Sequence, residues 1–465
     1  MPSPRVSLPG PTPGWDELRR QLAIPTEFPA EVLAEAEQAA AQPRLSALDL
    51  TDLPFLTIDP VGSTDLDQAM ALSRTSGGFR VQYAIADVAA FVTPGGAIDL
   101  EAHRRGETLY APDRRTPLHP PVLSEGAASL LPDQTRPALV WQLDLDPLGE
   151  LTSTTVRRAL VRSRRRLDYD TVQAGLDDGS ATEEVQLLRT IGELREQRAR
   201  ARDAVDLPTP EQEVEPDGSI RYRAQLPSER WNAQISLLTG IAAAALMLDG
   251  GVGLLRTLPP PDPQAVASLR RSALALGLAW PEQTAYGDVV SALDPAQPAA
   301  AALLVLATRL LRGAAYTAFD GSPPEQPLHS AVAAAYAHCT APLRRLADRY
   351  VGEVCLALCA GTEVPGWARA ALPLLPAEMA TGDKRAHELD RAVVDLAEAL
   401  VLAPRVGQAF DGIVTEANTT SGTVQLANPA VRAKVAGANL PLGRRVRVVV
   451  EQADPVSRTV RLRLA

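Results

Sequence analysis

The sequence predicts an α+β protein of more than one domain, and three observations predict it. From about residue 50 the chain reads as strands. From about 180 to 400 it turns helical, in long alanine- and leucine-rich segments, and the last sixty or so residues return to short strands broken by Gly, Asn, Asp and Pro. At 465 residues the chain exceeds what one hydrophobic core usually supports. The boundaries read as a short helical N-terminal region over 1–48, a large mixed domain over 49–402 and a small domain over 404–465.

Each element has its own signal. The proline-rich first 13 or so residues are expected to stay disordered. "GWDELRRQL" and "PAEVLAEAEQAAA" carry helical patterns, the second with Pro29 at a first-turn position. "FRVQYAIADVAAFV" reads as one strand, and "ALVWQLDLDPLGELTSTTVRRALV" as two strands around the turn "DPLGE". Helices are expected at 181–204, 230–249, 261–277, 297–319, 342–360 and 383–402, separated by breaks such as "LPPPDP" and "DGSPPEQP". Beyond a linker near Pro404, segments such as "AFDGIVTEA", "GTVQLA", "RRVRVVVEQAD" and "RTVRLRLA" suggest five short strands in a small closed barrel of the OB kind. No internal repeat occurs at a fixed period.

Composition narrows the function classes. No run of about eighteen apolar residues occurs, and the polar N-terminus lacks the basic and apolar regions of a signal sequence, so a soluble, cytoplasmic protein without a membrane partner is expected. Cys339, Cys355 and Cys359 read as reduced core residues. The formal charge of -10 would discourage a nucleic-acid partner if charge acted only as a sum. Arginines cluster at 156–166, 194–202, 343–349 and 443–448, where a local basic groove can hold phosphates; the 194–202 cluster reads as a solvated helix face.

Two stretches carry the chemistry. In "TIDPVGSTDLDQA" the strand "FLTI" runs into Asp59, and Pro60 and Gly62 impose a turn; Asp65 and Asp67 follow around Leu66. In an extended conformation these three carboxylates can converge, and a hard divalent cation such as magnesium would then neutralise them. The same residues also fit an Asx-turn and a helix cap, with a helix starting at Ser63 or Asp65. In "LHSAVAAAYAHCTAPLRRLADRYV", His329, Tyr336, His338, Thr340, Arg344 and Arg345 precede a helix expected to start at Pro342. That arrangement would cradle a phosphate with hydroxyls, guanidinium forks and free backbone N–H groups, or simply decorate a surface helix.

Together these stretches resemble the ribonuclease II family, exoribonucleases built on the RNB domain. The first is similar to the family run T-I-D-x5-D-x-D-D, and the second to Y-x-H-x-T-x-P-x-R-R followed by Ala347 and Asp348. "YAIADVAAFV" resembles the family's HIADVSxFV strand, and "TLYAPDRRTPLHPPVLSEGAASLLPDQTRPAL" its YLPxRxxPMLPxxLSxxxxSLxPxxxRxAL segment. The resemblance runs in one order from about residue 50 to 400. It implies a mixed sheet or barrel wrapped by helices, followed by an S1-type OB domain. It also implies a monomer that removes nucleotides processively from the 3′ end of single-stranded RNA, releasing nucleoside 5′-monophosphates. Asp59, Asp65 and Asp67 match aspartates that hold magnesium, with manganese as the alternative ion. Asp67 and Arg344 are the implied catalytic pair. Tyr110 matches the tyrosine that stacks at the 3′ end and sets the final product length. Tyr336, Thr340 and Arg345 join the implied RNA-binding set, as does Glu388 in "KRAHELDRA".

The chain departs from the pattern in places. Gln68 stands at the fourth aspartate position, where an amide oxygen is expected to be a weaker ligand. Gln234 occupies an expected acidic position in "WNAQISLLTG", "EQEVEPDGSI" lacks a base-sandwiching aromatic, and Ala84 replaces a histidine. Fewer than fifty helical residues stand where relatives carry two cold-shock barrels, so a wider RNA entrance and deeper attack on structured RNA are expected. Two rival readings remain: an RNA-binding protein with a degenerate RNB centre, and a metal-dependent phosphatase of small phosphoesters.

Overall fold

The computed structural model describes residues 15–209, 211–214 and 220–465. The N-terminal tail expected to be disordered, and residues 215–219 of "EQEVEPDGSI", lie outside the described residues. Two short helices, α1 (Trp15–Gln21) and α2 (Ala30–Ala41), precede a closed barrel of β1 (Phe55–Ile58), β2 (Gln68–Thr75), β3 (Gly78–Ala86), β4 (Thr135–Leu145) and β5 (Leu151–Leu167). Helix α3 (Ala97–Arg105) lies between β3 and β4. Strand β1 closes the barrel, antiparallel to β2 and parallel to β5. Alternate strand residues serve two cores, as the two-residue period requires. Val81, Tyr83, Ile85, Leu139, Trp141 and Leu143 pack in the large core with the helices that follow. Ala69, Ala71, Ala84, Ala86, Ala138 and Val140 form a tighter one with Phe55, Leu66 and α2. Ala84 is thus a fully buried residue of the small-residue face.

The turn at "DPLGE" forms as expected, with Asp146 N–H donating to the Glu150 carbonyl at 2.9 Å and Gly149 at φ 80. The strand expected over "FRVQYAIADVAAFV" stops at Ala86. Buried Asp87 there pairs with Arg158 of β5, and Val88–Ala90 form a 3-10 turn.

The helical half contains α4 (Tyr169–Asp178), α5 (Glu183–Ala201), α6 (Pro227–Gly250), α7 (Pro263–Ala275), α8 (Tyr286–Ser291), α9 (Pro298–Ala307), α10 (Leu346–Ala360), α11 (Gly366–Ala371) and α12 (Leu375–Leu402). Three antiparallel pairs interrupt it: β6 (Glu211–Val214) with β7 (Ile220–Arg223), β8 (Val252–Thr257) with β9 (Ala315–Asp320), and β10 (Leu328–His329) with β11 (Ala334–Ala335). The helix expected over 297–319 therefore ends early. Gly313, at φ 97, breaks the chain, and "AYTAFD" pairs with β8 instead. By mean hydropathy and length α6 is fit to cross a bilayer, yet Trp231, Ile235, Leu238 and Met247 are buried in the main core, as in a core helix. Arg195, in the cluster expected to be solvated, is instead 4% exposed and donates to the Gly149 carbonyl at 2.7 Å. Burial, then neighbouring Arg202, pulls its pKa down to about 10. The three cysteines are free thiols, with Cys339 and Cys355 buried.

The last strands close a second barrel: β12 (Ala409–Ala417), β13 (Ser421–Leu426), β14 (Arg432–Ala436), β15 (Arg445–Asp454) and β16 (Thr459–Leu464), in the order β12-β13-β14-β16-β15. Its apolar interior, including Val424, Val435, Val448 and Leu462, is continuous with Leu389, Val393 and Leu396 of α12, with Trp15 and Leu18 of α1, and with Leu109. Helix α1 is further fixed by buried Arg19, which pairs with Asp16 and Asp113.

Glu398 of α12, 5% exposed, accepts from Gln212 Nε2 at 2.9 Å and from the Arg432 N–H at 2.8 Å, tying α12 to β6 and to the barrel. Burial pushes its pKa up to about 7 from an ordinary 4.5. The folded state then holds this proton more tightly than the unfolded state. Its advantage is full below about pH 4.5 and is lost as pH rises toward 7. Glu398→Gln keeps an acceptor without the charge. Its unfolding free energy in urea should gain on that of the wild type between pH 5 and 7.5, by up to about 3 kcal/mol; parallel pH curves would contradict this.

Candidate active site

The aspartate segment forms no helix, so the cap reading is set aside. Asp59 follows β1, its N–H donating to the Leu167 carbonyl at 3.2 Å, and Gly62 at φ 87 completes the turn. Leu66 is fully buried, with its N–H on Ser129 Oγ at 2.9 Å and its carbonyl accepting from the Leu130 N–H. Anchoring Leu66 in the small-residue core leaves Asp65 and Asp67, its neighbours on either side, to the opposite face.

Each aspartate has cationic or hydroxyl company. Asp67, 4% exposed, accepts the Leu343 N–H at 2.8 Å and lies 3.4 Å from Arg344 Nε. Burial raises its carboxyl well above the usual range against the pull of Arg344 and the Leu343 hydrogen bond, and Asp65 and Asp348 push the same way as burial. Asp65 pairs with Arg115 at 2.5 Å and accepts from the Tyr110 hydroxyl at 3.2 Å. Arg115 also reaches Glu125 at 2.9 Å and Thr64 Oγ1. Asp59 lies near the phenols of Tyr83 and Tyr169, whose pKa values are raised by burial first and by this carboxylate as well. The Arg344 guanidinium, 45% exposed, is close enough to lower both phenols.

Other expected site residues lie differently. The helix expected from Pro342 starts at Leu346, because the N–H groups that would cradle a phosphate are taken. Ala341 N–H donates to Asp348 at 2.7 Å and Leu343 N–H to Asp67. Arg345, expected to bind RNA, spends its fork on Asp348 at 2.9 and 2.7 Å. Thr340 is 5% exposed. Tyr336 belongs to a neighbouring cluster, edge-on to His329 and His338, with its ring against Gly240, where a Cβ would meet it at 2.2 Å. Glu388 is half-exposed on α12 and pairs with Lys384 at 3.9 Å; Asp383, one turn earlier, is the acid that faces inward, 3.0 Å from Arg256. Gln68, expected as a weakened metal ligand, donates Nε2 to the Thr340 carbonyl at 2.5 Å. Gln234 is half-buried on α6. Sequence reasoning missed Arg115, Tyr83 and Tyr169. In "APDRRTP" the resembled segment's arginine falls on Arg114, yet the fold turns Arg115 toward Asp65 and Arg114 toward Asp16.

Among the described residues no three His, Cys, Asp or Glu side chains form a ready-made metal group. The donors nevertheless fit a hard divalent cation in kind. They are carboxylate oxygens, the donor type that magnesium and manganese prefer. One of these carboxylates, Asp65, is engaged by Arg115.

The family described as RNB domain matches residues 47–359, and that described as RNase II-type exonuclease C-terminal S1 domain matches residues 408–465. The chain is 31% identical over 321 residues to the exosome complex exonuclease RRP44 homolog A of Arabidopsis thaliana, across 65% of this chain and 34% of that protein. It is 26% identical over 425 residues to ribonuclease R of Escherichia coli (strain K12), across 84% of this chain and 51% of the relative. The chain thus spans from a third to about half the length of these curated relatives. Its fold matches the apo form of Mycoplasma genitalium RNase R with a TM-score of 0.86 at 20% identity, over 97% of this chain and 77% of that one.

If Arg115 competes with a cation for Asp65, Arg115→Gln should bind Mg2+ or Mn2+ about fivefold more tightly by titration calorimetry, the equivalent of ~1 kcal/mol for a partly exposed pair. Equal or weaker binding would make Arg115 a scaffold and not a competitor.

Proposed function

The chain belongs to the RNB-domain family, and from that membership and the pocket where Arg344 meets Asp67 we propose that it is a metal-dependent 3′–5′ exoribonuclease. The substrate is single-stranded RNA, degraded processively to nucleoside 5′-monophosphates. The observation that carries this reading is the hydrogen bond from Leu343 N–H to Asp67, which joins two motifs 276 residues apart into one acid and guanidinium pocket. Asp59, Asp65 and Asp67 are the residues to hold magnesium, or manganese in its place, which when bound supplies charge neutralisation and a water of lowered pKa.

The chain's own groups do the rest. Arg344, with its guanidinium half in solvent beyond Asp67, is placed to pair with the scissile phosphate and to stabilise charge gathering on its oxygens. Tyr110, 37% exposed and held by its hydroxyl on Asp65, has a ring on which the terminal base can stack without further ordering. On the second barrel Arg445, Arg447, Arg461 and Arg463 are all exposed, a basic surface for the phosphates upstream. RNA binding is also favoured by Mycoplasma genitalium RNase R, solved in complex with ribose methylated single-stranded RNA.

With a 5′-labelled oligoribonucleotide and Mg2+ or Mn2+, the wild type should shorten RNA from its 3′ end. Arg344→Ala should lower the rate on the order of 10²- to 10³-fold while retaining RNA in a gel shift. Tyr110→Ala should leave a longer final product. Intact RNA in every lane, with the gel shift preserved, would instead favour the RNA-binding reading, and hydrolysis of mononucleotides would favour the phosphatase.

A further inference from the structure

The segment Thr340–Arg345, which presents Arg344, is neither helix nor strand, yet its backbone is bonded at nearly every step. Ala341 N–H donates to Asp348 at 2.7 Å and Leu343 N–H to Asp67 at 2.8 Å. The Arg344 carbonyl accepts from the Thr108 N–H at 2.9 Å, and the Ala341 carbonyl accepts from the N–H groups of Arg344 and Arg345. A side chain holds the carbonyl at the head of the segment: Gln68 Nε2 donates to the Thr340 carbonyl at 2.5 Å.

We infer that Gln68 is a positioning residue, a side-chain donor that holds the Thr340 carbonyl and thereby fixes the Arg344 guanidinium over the scissile phosphate. The inference rests on the exoribonuclease reading for the phosphate, but not for the loop. Residue 68 is the first of β2, next to Asp67, so one strand end contacts the loop twice: Asp67 takes an N–H and Gln68 gives one. A carboxylate at residue 68 has no hydrogen to give and would set negative charge against the Thr340 oxygen. The amide here is the group the loop requires, and not an attenuated metal ligand.

The residues that follow the held carbonyl are packed as well as bonded: Ala341 is fully buried and Leu343 is 1% exposed. The guanidinium on the following residue is thus the part of the loop that extends into solvent.

The test compares variants that remove the donor while keeping its length. Gln68→Met and Gln68→Glu should each lower kcat on labelled RNA by roughly tenfold to a hundredfold, the scale set by displacing a reacting partner by about 1 Å. KM should stay within about twofold, because the barrel and Tyr110 still bind RNA. Gln68→Glu separates the two roles of residue 68. If the amide is a weak metal ligand, the carboxylate tightens Mg2+ binding and raises kcat; if it is a positioning donor, Mg2+ affinity gains nothing and kcat falls. Amide hydrogen exchange over 338–346 reads the loop without catalysis. Faster exchange in Gln68→Met and Gln68→Glu supports the inference. Unchanged exchange in both, or a gain in kcat with tighter Mg2+ in Gln68→Glu, overturns it. Should one of the two fail to fold, the exchange data of the other still decide. A wild type that leaves RNA intact would refute the exoribonuclease reading alone, since the exchange result stands apart from it.

Discussion

The site depends on one hydrogen bond, from the Leu343 N–H to the buried Asp67 carboxylate. Asp67 ends the extended run that leaves the turn after β1, and Leu343 lies just ahead of α10, so the bond brings the barrel and the helical half together at one atom. A buried carboxylate is costly unless its lone pairs are met. Here one oxygen is met by the loop and the other faces Arg344 at 3.4 Å, so burying the acid and aiming the arginine are one event.

Much of this was legible in the sequence, for physical reasons that can be named. Strand periods and turn residues announced strands of the first barrel and the closure of the second, since "DPLGE" and the Gly-bounded strands of the C-terminal segment are local signals. The spacing of Asp65 and Asp67 around Leu66 announced that the two carboxylates could point the same way in an extended chain. What local signals cannot carry is partnership. β14, "RAKVA", is too short to be read alone and exists because β13 and β16 flank it. The 315–320 segment is a strand because β8 waits for it. Arg345 and Arg344 are adjacent and chemically identical, yet Asp348 captures one and leaves the other to the pocket. Gln68 shows the same limit. Against the family pattern it is a missing acid, and only the position of the Thr340 carbonyl explains why an amide suits it.

Arginine usage follows from the same accounting. The chain is acidic overall, and many of its arginines are spent inside. Arg158 bridges Asp87 and Glu353, Arg349 pairs with Asp99, Arg105 with Glu101, and Arg195 bonds a carbonyl. Guanidinium tolerates such settings because it keeps its charge and offers several directed donors. Other arginines stay in solvent, among them Arg344 and, on β15 and β16, Arg445, Arg447, Arg461 and Arg463, so the positive charge that solvent meets is local and not a sum over the chain.

The apolar cluster that joins Trp15 and Leu18 of α1, Leu109, α12 and the interior of the second barrel has a consequence for how such a protein can diversify. Leu109 adjoins Tyr110, and Arg19 of α1 grips Asp113 a few residues on. The loop that carries Tyr110 is therefore cemented to α1 and to the second barrel at once. Exchanging that barrel, or recombining the chain ahead of α2, would strip the wall from behind Tyr110. In this chain α1 and the second barrel are not interchangeable accessories, and change at either must be accommodated jointly with the Tyr110 loop.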